Sequence, residues 1–376
     1  MKHPVTFRML ASVTIGSVLI CLACKKPEPA LKDAFADRFL IGTAMSVPQI
    51  MGKEPGTKEF VVKHFNSLTA ENCMKWEKIH PLPSVYDFAP ADSTVAFADR
   101  NGMFMIGHCL IWHQQTPGWV FTDSLGKPLT RDALLARMKD HIYTVVGRYK
   151  GQVKGWDVLN EVLADDGSLR KTKYLEIIGE DYMQKAFEFA READPDAELY
   201  YNDYNIETPA KRDSAVKLMR TLQSRGVKID GVGIQGHYHM DFPELNDIDL
   251  AIQQFGELGL KVMFTELDIN ILPRPENMSG ADISKNFELQ KQMNPYPESL
   301  PDSAQQKLAE RYADMFRIFV KHSDKVSRVT FWGVHDGQSW LNNWPVKGRT
   351  NYPLLFDRNL QPKPAFYSVI ETVKQP

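Results

Sequence analysis

The chain has 376 residues, 43% hydrophobic and 24% charged, with 45 Lys and Arg against 47 Asp and Glu. That is enough apolar material for two ordinary domains or one large α/β barrel. A formal charge of −2, with no run of basic residues longer than pairs such as Lys25-Lys26, argues against a nucleic-acid partner.

Residues 1–23 read as a signal peptide. Lys2 and Arg8 give a basic start, and Met9 to Ala23 form an apolar run too short for a good membrane span. Leu22-Ala23-Cys24 resembles a bacterial lipoprotein cleavage site, which makes Cys24 the expected lipidation site and the membrane a partner only through that anchor. Residues 24–33 then read as a Pro-containing tether, and 34–376 as one folded unit. Only Cys73 and Cys109 remain beyond the tether. Two thiols are not a disulfide framework, so both are expected free, although a bridge between neighbouring strands is conceivable.

From Phe39 onward, short β-rich runs alternate with helical spacing. The runs are 39–46, 67–72, 103–112, 153–161, 198–205, 230–239, 261–270 and 327–335. Between them, helices are expected over 58–66, 91–101, 130–149, 181–193, 208–226, 246–258 and 303–322, with an eighth after Pro362 and Pro364. In "QQKLAERYADMFRIFVKH" the apolar residues recur every three or four positions, as a helix lying on a sheet requires. Eight such alternations point to a single (β/α)8 TIM barrel of class α/β. The interval 271–302 carries five prolines and no clear period; coming after the seventh strand, it should overhang the barrel's functional face.

Catalytic groups of such barrels sit at the carboxyl ends of the strands. Those ends carry Glu71 and Asn72, His108, Asn160 and Glu161, Asn202 to Asn205, Gln235 and His237, Glu266 and Asp268, and Trp332. Glu161 and Glu266, on strands four and seven, face each other across the mouth. A glycosidic bond needs such a pair: a protonated acid for the leaving oxygen and an ionised partner for the anomeric carbon. In such a pair the acid owes its proton to its partner's charge and to partial burial, and Asn160 and Trp156 are expected to fix the position of Glu161. Either Glu alone could equally be a structural ion-pair partner.

The segments "TAENCMKW" (69–76), "GHCLIWHQQTPGW" (107–119), "WDVLNE" (156–161), "GIQGHY" (233–238), "GLKVMFTELDI" (259–269) and "FWGVHDGQSW" (331–340) together resemble glycoside hydrolase family 10, from about Phe39 to the C-terminus. Its typical members are endo-β-1,4-xylanases. The resemblance implies retaining hydrolysis of internal bonds of xylan or xylo-oligosaccharides, with Glu161 as acid/base and Glu266 as nucleophile. It implies that Asn160 binds a sugar 2-hydroxyl, that His237 bonds the nucleophile with Gln235 beside it, and that Asp268 supports them. Glu71, Asn72, Lys75 and His108 would grip sugars on the non-reducing side, and Trp112, Trp332 and Trp340 would wall the central sugar. No cofactor or metal is implied.

Rival readings are weaker. "GVGIQG" (231–236) fits G-x-G-x-x-G, but His-Tyr-His follows instead of a phosphate-binding helix. His237 and His239 share a strand face as metal pairs do, yet barrel metallohydrolases usually place that pair on the first strand and add further ligands, and here it falls on the sixth. His113 reads as a hydrogen-bonded core residue, and Trp76 and Trp156 as core. Asn202, Asp203 and Asn205 read equally well as turn formers. The remaining alternatives are a retaining glycanase acting on β-1,4-glucan or mannan, and a lipid-anchored glycan-binding protein that no longer catalyses. The latter would be expected to lose one carboxylate.

Overall fold

The computed structural model describes residues 29–275 and 281–374, with Met1 and His3. Cys24 and the predicted signal segment lie outside these, save Met1 and His3. Eight parallel strands close into a barrel, as the alternation predicts. They are β1 (Leu40–Met45), β2 (Ser67–Ala70), β3 (Phe104–Trp112), β4 (Val153–Asn160), β5 (Glu198–Asp203), β6 (Gly231–Ile234), β8 (Lys261–Asn270) and β9 (Val326–Phe331). A short β7 (His237–His239) continues the sixth stave beside the end of β8. The circuit runs from β6 through β5, β4, β3, β2, β1, β9 and β8, and closes by pairing Gly231–Ile234 with Lys261–Phe264.

Among the described residues eight longer helices lie outside, at Thr57–His64, Ala89–Arg100, Arg131–Arg148, Tyr182–Ala193, Pro209–Ser224, Leu245–Gly256, Asp302–Lys321 and Pro364–Glu371. Each follows its expected segment to within a few residues. The helix Asp302–Lys321 buries Leu308, Tyr312, Met315, Phe316 and Phe319, an i, i+3/i+4 stripe laid on the sheet. The strands are covered on both faces, so β8 is buried from Val262 to Asn270; this is why they read as near-continuous apolar runs.

The sixth stave corrects the sequence reading. A single strand over 230–239 is expected, but the chain breaks at Gln235-Gly236, where Gly236 takes φ +79°. The break turns Gln235 toward the cavity, while β7 realigns His237 opposite Asp268. Trp156 is core as expected, but it does not position Glu161. Its ring lies where a side chain on Gly107 would be, and its indole nitrogen has no hydrogen-bond partner. Cys73 and Cys109 are buried free thiols.

Candidate active site

The strand ends open onto one cavity of about 180 Å³. It gathers Glu71, Asn72 and Lys75 from the loop after β2, His108 and Trp112 from β3, Asn160 and Glu161 from the end of β4, Gln235 and His237 from the sixth stave, Glu266 from β8, and Trp332 and Trp340 from beyond β9. Asp268 stands behind them, fully buried.

Glu161 is the first residue past β4 and takes φ +58°, the left-handed region. That turn aims its carboxyl across the mouth instead of into the next helix layer. Two donors hold it: the Trp112 indole N–H at 2.8 Å and Gln235 Nε2 at 3.0 Å. Its backbone carbonyl accepts from Arg170 Nε at 3.1 Å. Burial dominates its electrostatics and, with the nearby charge of Asp203, outweighs the two donors, so its pKa is pushed up to about 7. Glu266 also raises it, but by less than burial or Asp203. Asp203, not Glu266, is thus the charge that most raises Glu161, contrary to the expectation from sequence.

Glu266 is equally buried, and burial alone would favour its neutral form. The His237 hydrogen bond and the positive charges of His108, His237 and Lys75 overcome that and bring its pKa down to about 2. His237 lies between two acids, with Nδ1 3.0 Å from Asp268 Oδ1 and Nε2 3.2 Å from Glu266 Oε2. Burial opposes its charge, yet the two carboxylates prevail and raise it to about 10, so both ring nitrogens carry protons and donate. Asp268 is fixed in turn by the Trp340 indole N–H at 2.7 Å.

A relay of amides joins the two acids. Asn202 Nδ2 donates to Glu266 Oε1 at 2.8 Å and to Asn160 Oδ1 at 2.9 Å, while Thr265 Oγ1 donates to Asn202 Oδ1 at 2.6 Å. Gln235 Nε2 also reaches Asn160 Oδ1, at 3.3 Å. With its oxygen engaged twice, Asn160 has its NH2 group left to offer a ligand. Asn202 is a site residue the sequence reading set aside as a turn former. Asp203, set aside with it, pairs with Lys211 at 2.8 Å, with both side chains fully buried.

Lys75 Nζ donates to Asn72 Oδ1 at 2.9 Å and to Gln115 Oε1 at 3.0 Å, and lies 5.0 Å from the centre of the Trp112 ring. Gln115 lines the cavity too and was not foreseen. His108 Nδ1 pairs with buried Asp157 Oδ2 at 2.9 Å, which fixes its ring at the cavity edge. His113 is partly buried, and its Nδ1 lacks the hydrogen bond expected of a core histidine. The arrangement therefore offers a buried carboxyl poised to give a proton and a second one held ionised, between polar groups and indole rings. Such a pair suits acid-assisted displacement at an acetal carbon.

The model of glycosyl hydrolase family 10 matches residues 30–372. An endo-1,4-beta-xylanase A of Xylanibacter ruminicola is 47% identical over 97% of this chain and 99% of its own. A beta-1,4-xylanase of Dictyoglomus thermophilum is 46% identical over 91% of each. Among solved structures, a family 10 endoxylanase retrieved from a sugarcane-soil metagenome superposes with a TM-score of 0.89 at 43% identity, covering 91% of this chain and 99% of that one.

Proposed function

The chain belongs to glycosyl hydrolase family 10, and we infer from this and from the site that it is an endo-1,4-β-xylanase. It hydrolyses internal β-1,4-xylosidic bonds of xylan with retention, the stereochemistry of its family. The observation that carries the residue assignment is the opposed ionisation of two carboxyls in one cavity, Glu161 at about 7 and Glu266 at about 2.

In the proposed cycle, ionised Glu266 attacks the anomeric carbon while Glu161 protonates the departing oxygen. Water then attacks the anomeric carbon while Glu161 takes its proton; the bond from that carbon to Glu266 breaks, freeing the sugar and restoring the Glu266 carboxylate. Burial and Asp203 act on Glu161 in both halves, so a pKa near neutrality serves it as acid and then as base. Asn202 and His237 hold the nucleophile by its two oxygens, and Asn160 offers its amide to the sugar. Glu71, Asn72, Lys75 and His108 are assigned to sugars on the non-reducing side, with Trp112, Trp332 and Trp340 as walls. No metal or cofactor takes part in this scheme. Reducing-sugar release from xylan by the native chain and by Glu266→Ala tests it. Loss of nearly all activity is expected; equal activity would remove Glu266 from the nucleophile role.

We also propose export with lipidation at Cys24, on the basic start, the apolar run and the Leu-Ala-Cys sequence. Labelling with a fatty-acid probe should mark the native chain and not Cys24→Ser. Label retained in the variant would refute it.

A further inference from the structure

The chain after β8 does not simply border the cavity. Its later part is tied to the loop beyond β9: Phe287 N–H donates to the Pro345 carbonyl at 2.8 Å, Thr350 N–H to Asn294 Oδ1 at 2.9 Å, and the Tyr352 hydroxyl to the Tyr296 carbonyl at 2.8 Å. From that base the turn 281–284 reaches over the mouth. Ala281 is buried among Tyr204, Leu341 and Trp344, with Trp340 packed alongside, so it spans from the β5 loop to the β9 loop. Asp282 Oδ1 accepts from Gln114 Nε2, two residues past the end of β3, at 3.1 Å. The same oxygen accepts from the Ser284 N–H at 3.0 Å and its hydroxyl at 2.7 Å, which shapes the turn. Ala281 and Ile283 both line the catalytic cavity.

The side it covers follows from its neighbours. Trp112, just before Gln114, bonds Glu161; Arg170 bonds both the Glu161 carbonyl and the Tyr204 hydroxyl. Among the described residues Lys75 and Asn72 make no hydrogen bond to the turn; Lys75 donates instead to Asn72 and to Gln115. The turn thus stands beside the proposed acid, where a leaving group must depart.

We propose that residues 281–284 are a specificity strap, clasped by Asp282 and Gln114 over the leaving-group side, which favours substrates with a short leaving group over polymeric xylan. This rests on the xylanase reading and on Glu161 as its acid. A chain continuing for many sugars past the cleavage point must lift the strap and break the clasp; a single-ring leaving group fits beneath it.

The test compares kcat/KM on an aryl β-xylobioside and on polymeric xylan for the native chain, Asp282→Ala, Gln114→Ala and Asp282→Asn. Both alanine variants should raise the xylan-to-xylobioside ratio roughly three- to tenfold, the worth of one polar contact. Asp282→Asn keeps an acceptor oxygen for Gln114 and should hold the native ratio. An unchanged ratio in the alanine variants, or a shift in only one of them, overturns the strap. Equal losses on both substrates would mean a structural role and also overturn it. A native chain inactive on both substrates would instead sink the xylanase reading, and the two failures are distinct.

Discussion

Asn202 Nδ2 donates to Glu266 Oε1 at 2.8 Å, with Asn202 wholly inaccessible to solvent. A neutral amide thus holds one nucleophile oxygen while the imidazolium of His237 holds the other. Asn202→Ala removes a hydrogen bond to a charged group, worth about 1.5–3 kcal/mol. A fall in kcat of about ten- to a hundredfold on xylan is expected, with KM little changed. A change confined to KM would mean that Asn202 serves binding alone.

Glu161 must carry a proton to act as acid, so kcat/KM should fall as pH rises through about 7. Glu266, held down at about 2, stays ionised across the working range. Asp203→Asn removes a charge that raises Glu161, so the alkaline limb should move to lower pH. The same change leaves Lys211 buried without its ion-pair partner, costing about 3–5 kcal/mol of stability. A pH–rate profile and a thermal melt read the two effects separately. An unmoved alkaline limb would show that Asp203 does not set the Glu161 proton.

Glu161→Ala should lose far more rate on xylan than on an aryl glycoside whose leaving group departs without a proton. Steady-state rates on the two substrates decide the matter. Equal losses on both would count against Glu161 as the acid.

A buried histidine pair sets a prediction about acid stability. His80 and His141 meet through their Nδ1 atoms at 3.3 Å, and His141 stacks on Trp76 with ring centres 3.6 Å apart. Burial lowers His80 from 6.5 to about 4, helped by Arg137 and opposed by Asp140; burial and His80 lower His141 well below its ordinary value. Folded pKa values below the unfolded ones mean stability that is present above about pH 6.5 and lost as pH falls toward 4. The melting temperature should drop across that window, and less steeply in a double variant with His80→Gln and His141→Gln. Parallel slopes for the two proteins would defeat the idea.

The barrel was legible in the sequence because its strands are covered on both faces and its helices on one, which leaves continuous apolar runs alternating with segments of helical period. Glu161 and Glu266 were legible because each ends an apolar run. Asn202 and Asp203 end such a run too, but Asn-Asp has the composition of a turn, and only the partners reached across the barrel reveal their use. Trp156 misled for a related reason. Its nearness in sequence to Glu161 suggests contact, while alternation along β4 and the space left by Gly107 send its ring into the core. The strap was legible as an overhang but not as a clasp, since its partners Gln114, Tyr204 and Leu341 come from three other loops.

The left-handed backbone at Glu161 sets folding against chemistry at a single position. A residue with a β-carbon pays about 1–2 kcal/mol to stand there, and glycine would pay almost nothing. Glycine would also strip the Trp112 and Gln235 donors of their acceptor, so the bonds that aim the acid are also what hold its backbone in a conformation it disfavours.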